Sequence, residues 1–259
     1  MTRTVTRVPV PTDTSAPGGR TNAYLVDDPA GALLVDPAGR TDDLDTAVAD
    51  REVAHVAITH AHPDHVDGAA AYAAATGATL WARRGREARF AAATGHTPDR
   101  TFAEGDRVGP VTVVDTPGHA PDHVAFATDA GILSGDLAVA TGSVAVAAPE
   151  GDLRAYLVAL RRLLARDPPR LFPGHGPVID DPRTTLERLY FHRLDRERRV
   201  ERAVRAGADS VDAVVDAAYD RELGDHRSLA AATVRAHLDK LAVEGRVRFD
   251  AETDGVAPR

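Results

Sequence analysis

Residues 59–68 read THAHPDHVDG and hold three of the chain's eleven histidines, with two aspartates, in ten positions. The spacing H-x-H-x-D-H follows an apolar run of strand type, 53–59, and opens an alanine-rich stretch of helix type, 64–76, that Gly77 stops. A tight strand-to-helix turn can aim several side chains at one point beyond the end of a sheet. Imidazole nitrogens grouped with a carboxylate suit zinc or iron.

Three later segments repeat this local design, a short apolar strand running into a loop with one potential ligand. They are VVDTPGHAPDH (113–123) with His119, ILSGDLA (132–138) with Asp136, and RLFPGHG (170–176) with His175. Each ligand follows a glycine or a strand end, where the backbone is free to turn a side chain inward. The set is right for a pair of metals. His60, His62 and His119 would hold one ion and Asp64, His65 and His175 the other, with Asp136 bridging. Two such cations lower the pKa of a shared water toward neutrality, making a bridging hydroxide the expected nucleophile, with Asp64 as proton acceptor. Two Zn2+ are expected, iron or manganese being the alternatives.

The rest of the chain narrows the setting. At 259 residues, 43% hydrophobic and 27% charged, it can bury a full core. It has no cysteine, which removes disulfides and thiolate ligands and leaves His and carboxylate as the strong ligands. The formal charge of −8 disfavours general attraction to nucleic acid or anionic membrane. The start MTRTVTRVPV has no apolar leader region, and no run approaches the roughly 18 apolar residues of a membrane span, so a cytoplasmic location is expected.

Apolar runs at 24–26 and 32–35 flank the turn DDPAG and form a hairpin; 42–49 has helix character. Strand-like runs at 80–82, 111–114, 124–127, 132–133 and 171–172 enclose a helix that Asp152 caps, giving a layered α/β sandwich. A long arginine-rich helix starts at Pro182, behind the cap Asp181, and runs to about Arg205. Helices at 211–219 and 229–244 and a strand at 247–249 then resemble a winged helix. The expected domains are 1–206, with the long helix as linker, and 207–259.

THAHPDH, TPGHAPDH, LSGD and FPGHG, in that order and with LLVDPAG before them, resemble the metallo-β-lactamase superfamily across most of residues 20–180. The resemblance implies an αββα sandwich with a small C-terminal winged-helix domain and a metal-dependent hydrolase. β-Lactamases of the commonest zinc class carry cysteine where this chain has Asp136, so antibiotic hydrolysis is not implied. The early aspartate, Asp36, is read as a partner of a ligating imidazole. PGHGPVIDDP and FHRLDRERR, followed by the tail, look like the lactamase-β-like endoribonuclease subfamily, which cuts single-stranded RNA.

Alternatives stay open on the residues. A glyoxalase II-like thioester or lactone hydrolase shares the ligands and a similar length, and a winged-helix nucleic-acid-binding regulator is the reading from another class. Residues 207–259 hold 7 basic and 11 acidic residues, a net −4, against a reader of duplex DNA. That unit would instead wall the cleft, pair two chains as a homodimer, or give a weak RNA contact. Among the other candidates, His123 reads as a strand-start residue, RRGREARF (83–90) as a solvated helix face, and Arg193 to Arg202 as helix-surface ion pairs.

Overall fold

The computed structural model describes residues 4–14, 16, 18–220 and 222–259. In chain order the elements are β1 (Val5–Pro11), β2 (Arg20–Val26), β3 (Ala32–Val35), α1 (Asp42–Ala49), β4 (Val53–Ala57), α2 (Pro63–Val66), α3 (Ala69–Thr76), β5 (Thr79–Arg83), α4 (Glu87–Thr94), β6 (Arg100–Phe102), β7 (Arg107–Val108), β8 (Val111–Asp115), β9 (Val124–Ala127), β10 (Ile132–Gly135), α5 (Leu153–Arg166), β11 (Leu171–Pro173), α6 (Pro182–Arg205), α7 (Val211–Ala218), α8 (Arg227–Val243), β12 (Val247–Asp250) and β13 (Gly255–Pro258).

β1 to β6 form one sheet in sequence order, antiparallel through β3 and parallel from β3 to β6. The second sheet runs β11-β10-β9-β8-β7, and only β10 and β11 are parallel. Alternation along the strands builds the layers. In β3, Leu33 and Val35 join Val113, Phe126 and Leu133 between the sheets, while Leu34 joins Val56, Leu44 and Tyr72 beneath the first sheet's helices. Outside the second sheet, α5 and α6 bury Tyr156, Leu160, Leu163, Leu186 and Leu189. The order is therefore helix, sheet, sheet, helix. Leu160 is wholly buried, and its truncation to alanine is expected to cost about 2–5 kcal/mol.

The single helix expected over 64–76 is two. α2 ends and α3 starts at Gly68, whose N–H donates to the Pro37 carbonyl at 2.8 Å. A Cβ at Gly68 would lie 2.7 Å from that oxygen, so the chain can bend here against the loop after β3 only with glycine. The first strand, Val5–Pro11, precedes the expected opening hairpin and edges the sheet.

A third core lies at the C-terminal end. Val200 and Val204 of α6 pack with Val214 and Val215 of α7, Val234, Leu238 and Leu241 of α8, and Val247 and Val256 of the β12–β13 hairpin. α6 thus belongs to two cores, its start to the sandwich and its end to the C-terminal unit. Among the described residues, no helix is long and apolar enough to cross a membrane.

Candidate metal centre

All seven sequence-selected ligands converge at one edge of the sandwich. β4 delivers His60 and His62, and Pro63 at the first position of α2 turns the chain so that Asp64 and His65 follow on the first turn. His119 comes from the loop after β8, Asp136 from the end of β10, and His175 from the end of β11. Ligand atoms group as His60, His62 and His119; as His60, His65 and Asp136; and as Asp64, His65 and His175, each set lying within 4.8 Å. Asp136 spans them, with Oδ2 at 3.6 Å from His119 Nε2 and 3.3 Å from His175 Nε2, and Oδ1 at 3.5 Å from His65 Nε2. Gly174 makes this approach possible, because a side chain there would strike Asp136 Oδ1 and lie 2.8 Å from His65.

The outer nitrogen of every ring has an acceptor, which fixes the tautomer. Thr59 Oγ1 donates to Asp36 at 2.7 Å and so accepts from His60 Nδ1 at 3.1 Å. His65 Nδ1 donates to Asp36 at 3.0 Å, His119 Nδ1 to the Ala145 carbonyl at 2.7 Å, and His175 Nδ1 to the Arg20 carbonyl at 2.9 Å. His62 Nε2 faces Glu150 at 3.1 Å. With every ring neutral, as a ligand must be, five imidazole lone pairs point inward. His60 Nε2 and His119 Nε2 stand 3.0 and 2.9 Å from His62 Nδ1, too close for facing lone pairs unless a cation lies among them. His65 Nε2 and Asp136 Oδ1 are buried without any hydrogen-bond partner. The donor set fits metal ions, and nitrogen with carboxylate oxygen fits zinc or iron.

The electrostatics keep two of the rings neutral, while carboxylates favour positive charge on a third. Burial and the neighbouring imidazoles hold His60 well below the usual histidine range, and burial lowers His119 against the pull of Asp136. Burial also opposes charge on His65, but Asp136 and Asp36 outweigh it and raise the group to about 9. Asp136, although buried, is held well below the carboxylate range by His65, His175 and His119.

Sequence reasoning missed His123 and Glu150. His123 is buried behind the site; its Nε2 accepts the Asp136 backbone N–H at 3.0 Å while Nδ1 donates to the Thr116 carbonyl at 3.0 Å. Burial lowers it to about 3, so it stays neutral and can accept. A second histidine four positions after His119 was the available signal. Asp36 bonds the ring of the candidate ligand His65 and also takes the Thr59 N–H at 2.6 Å. His55, by contrast, only accepts from the Trp81 indole at 3.3 Å, away from the site.

The centre opens into a cleft of about 420 Å³. Beyond the candidate ligands its described lining includes Thr14, Val139, Thr141, Ser143, Val144 and Leu229, with Asp13 the one further charge and no arginine or lysine. Leu229 belongs to α8, so the C-terminal unit reaches the mouth.

A family model for the metallo-beta-lactamase superfamily matches residues 16–175. The Beta-lactamase-like protein 2 homolog of Drosophila melanogaster is 36% identical over 148 residues, 56% of this chain and 49% of that protein, so this chain aligns with about half of that relative's length. A hydroxyacylglutathione hydrolase of Polaromonas sp. (strain JS666) is 34% identical over 168 residues, 61% of this chain and 62% of its own. Among solved structures, a metallo-beta-lactamase family protein from Thermus thermophilus is similar with a TM-score of 0.80 at 22% identity, covering 98% of both chains. TTHA1623 in a di-iron-bound form is similar with a TM-score of 0.56 at 31% identity, covering 70% of this chain and 95% of that one.

Proposed function

The chain belongs to the metallo-beta-lactamase superfamily, and from that premise we propose that it is a metal-dependent hydrolase of a small ester or thioester. His60, His62 and His119 would hold one cation and Asp64, His65 and His175 a second, with Asp136 between. The set fits two zinc ions, and the di-iron form of TTHA1623 makes iron the first alternative. Bound there, the cations supply Lewis acidity and bring the pKa of water into the neutral range.

The protein's own groups do the rest. Asp64, with Oδ2 at 3.5 Å from His175 Nε2, lies at the cleft and takes the proton released when water attacks. Asp136 fixes the spacing of the two histidine sets. Val139, Val144 and Leu229 give the acyl part an apolar wall that limits water around the scissile bond.

The cleft lining carries the substrate class. A phosphodiester chain needs cationic side chains along its path beyond the metal centre, and the described lining offers no arginine or lysine, whereas a neutral acyl group meets valine, leucine and threonine. The likeness to a hydroxyacylglutathione hydrolase supports the same class. Single-stranded RNA therefore stands second. Residues 207–259 fit the winged-helix reading, since α7, α8 and the β12–β13 hairpin follow in order and Ser210 bridges to Gly255; their role is to close the cleft.

The test is turnover of acyl thioesters, nitrophenyl esters and single-stranded RNA, before chelation, after it, and after metal is restored. Acyl turnover that chelation abolishes and metal restores is expected. Chelator-insensitive hydrolysis, or RNA cleavage without acyl turnover, would overturn the proposal.

A further inference from the structure

Three residues outside the ligand set close a circuit of hydrogen bonds and one ion pair on the segment that carries His60 and His62. Arg89 of α4 sets its two terminal nitrogens on Glu150 at 2.6 and 2.8 Å and its Nε 3.0 Å from Asp122 Oδ1. Glu150 accepts from His62 Nε2 at 3.1 Å, and Asp122 Oδ2 accepts the Ala61 backbone N–H at 2.8 Å. The circuit leaves the segment through the His62 ring and returns through the peptide one residue earlier. Asp122 is 5% exposed, so one end of it is anchored in the interior.

His62 needs this support more than its neighbours do. The rings of His60, His65, His119 and His175 lean on Thr59, Asp36 or backbone carbonyls, which the fold already fixes. The His62 side chain keeps 26% exposure and leans on a glutamate that is itself 45% exposed. A free glutamate samples many rotamers, and ordering it costs side-chain entropy. Arg89 has already ordered it. Only a planar fork can grip one carboxylate with two nitrogens and a second with its Nε; lysine offers a single point charge.

We propose that Arg89 is a positioning residue for the metal centre: through Glu150 it fixes the ring of His62 and through Asp122 the Ala61 peptide that precedes it, and so sets the affinity of the His60, His62, His119 set for its cation. This rests on those histidines being ligands. Arg89, in a segment that reads as a solvated helix face, thus has its guanidinium turned to the site.

Zinc titration of the full-length apo protein against a competing chelator tests it, with Arg89→Ala, Arg89→Lys and Glu150→Gln beside the unmodified chain. Both arginine variants are expected to weaken one of two zinc equivalents by about 10- to 100-fold and to leave the other unchanged. Glu150→Gln, which keeps an oxygen for His62 but loses the ion pair, falls between. General loosening would weaken both equivalents together, and that outcome overturns the proposal, as does wild-type affinity in both arginine variants. Should Arg89→Ala fail to fold, Arg89→Lys and Glu150→Gln decide alone. If the unmodified chain takes up no zinc, iron or manganese, the ligand assignment itself fails; if it takes up two ions and the variants match it, only the role of Arg89 falls.

Discussion

His123 shows how much of this centre depends on a single neutral ring. It holds Asp136 by the backbone N–H, and no other side chain bonds that N–H among the described residues. Substitution His123→Leu removes the acceptor and leaves the amide unpaired in a buried site, so metal affinity is expected to fall about 10- to 100-fold, with the ligands intact. Equilibrium zinc competition measures it, and unchanged affinity would show that β10 alone places Asp136. Loss of the carboxylate is more severe: Asp136→Ala is expected to lower kcat/KM by at least about 100-fold, because both histidine sets lose their shared partner. The seven candidate ligands could be picked out in the sequence because histidine is scarce, eleven in 259 residues, and because each candidate lies in a loop or turn that follows a strand. Glu150 could not be, because its role is a contact across 88 positions that no local spacing encodes, and His123 offered only its place four residues after His119, with its partner 13 positions further on.

At the scale of elements, α6 does more than link. Its arginines read from sequence as surface ion pairs, and Arg199 does pair with Asp195 at 2.8 Å. Arg193 is instead buried over the Tyr156 ring and donates to the Val144 carbonyl, while Arg188 donates to the carbonyls of Gly142 at 2.5 Å and Val139 at 2.9 Å. Two turns of one helix thus fasten the cleft wall. Charge type was legible and facing was not, since α6 passes from one core to another and has no single solvent side. On α8, His237 is fully buried with neither ring nitrogen bonded among the described residues, facing Arg193, Arg196 and His192 of α6 and Lys240 of its own helix. Burial and those cations hold it well below its ordinary range. The unfolded chain takes up this proton as pH falls below about 6.5 while the folded chain resists, so stability is present above that pH and lost beneath it. His237→Leu removes that loss: chemical denaturation is expected to show the variant gaining on the parent as pH drops from about 7.5 to about 5.5. A constant difference across that range would contradict the assignment.

For the molecule as a whole, the two sheets were foreseeable from apolar runs between turns, and the helix-sheet-sheet-helix order follows from strands buried on both faces. What no run of residues decides is which of the open roles the C-terminal unit takes, and it is the fold that brings that unit to the cleft. The Ala148 N–H donates to the Ala232 carbonyl at 3.0 Å, tying the wall loop to α8, and Leu229 stands at the mouth with 42% of its surface exposed. Leu229→Ala is expected to lower kcat/KM about 3- to 10-fold for long acyl chains and little for acetyl, the share of a partly buried leucine contact. An equal fall for both chain lengths would remove the unit from substrate selection. Beneath that lies the convergence of distant loops on one cluster of candidate ligands, proposed to hold paired cations. Anomalous X-ray scattering from crystals of the metal-loaded protein examines it directly: two peaks are expected, one among His60, His62 and His119 and one among Asp64, His65 and His175, with Asp136 between. No peak there, or a single ion held elsewhere, would contradict it.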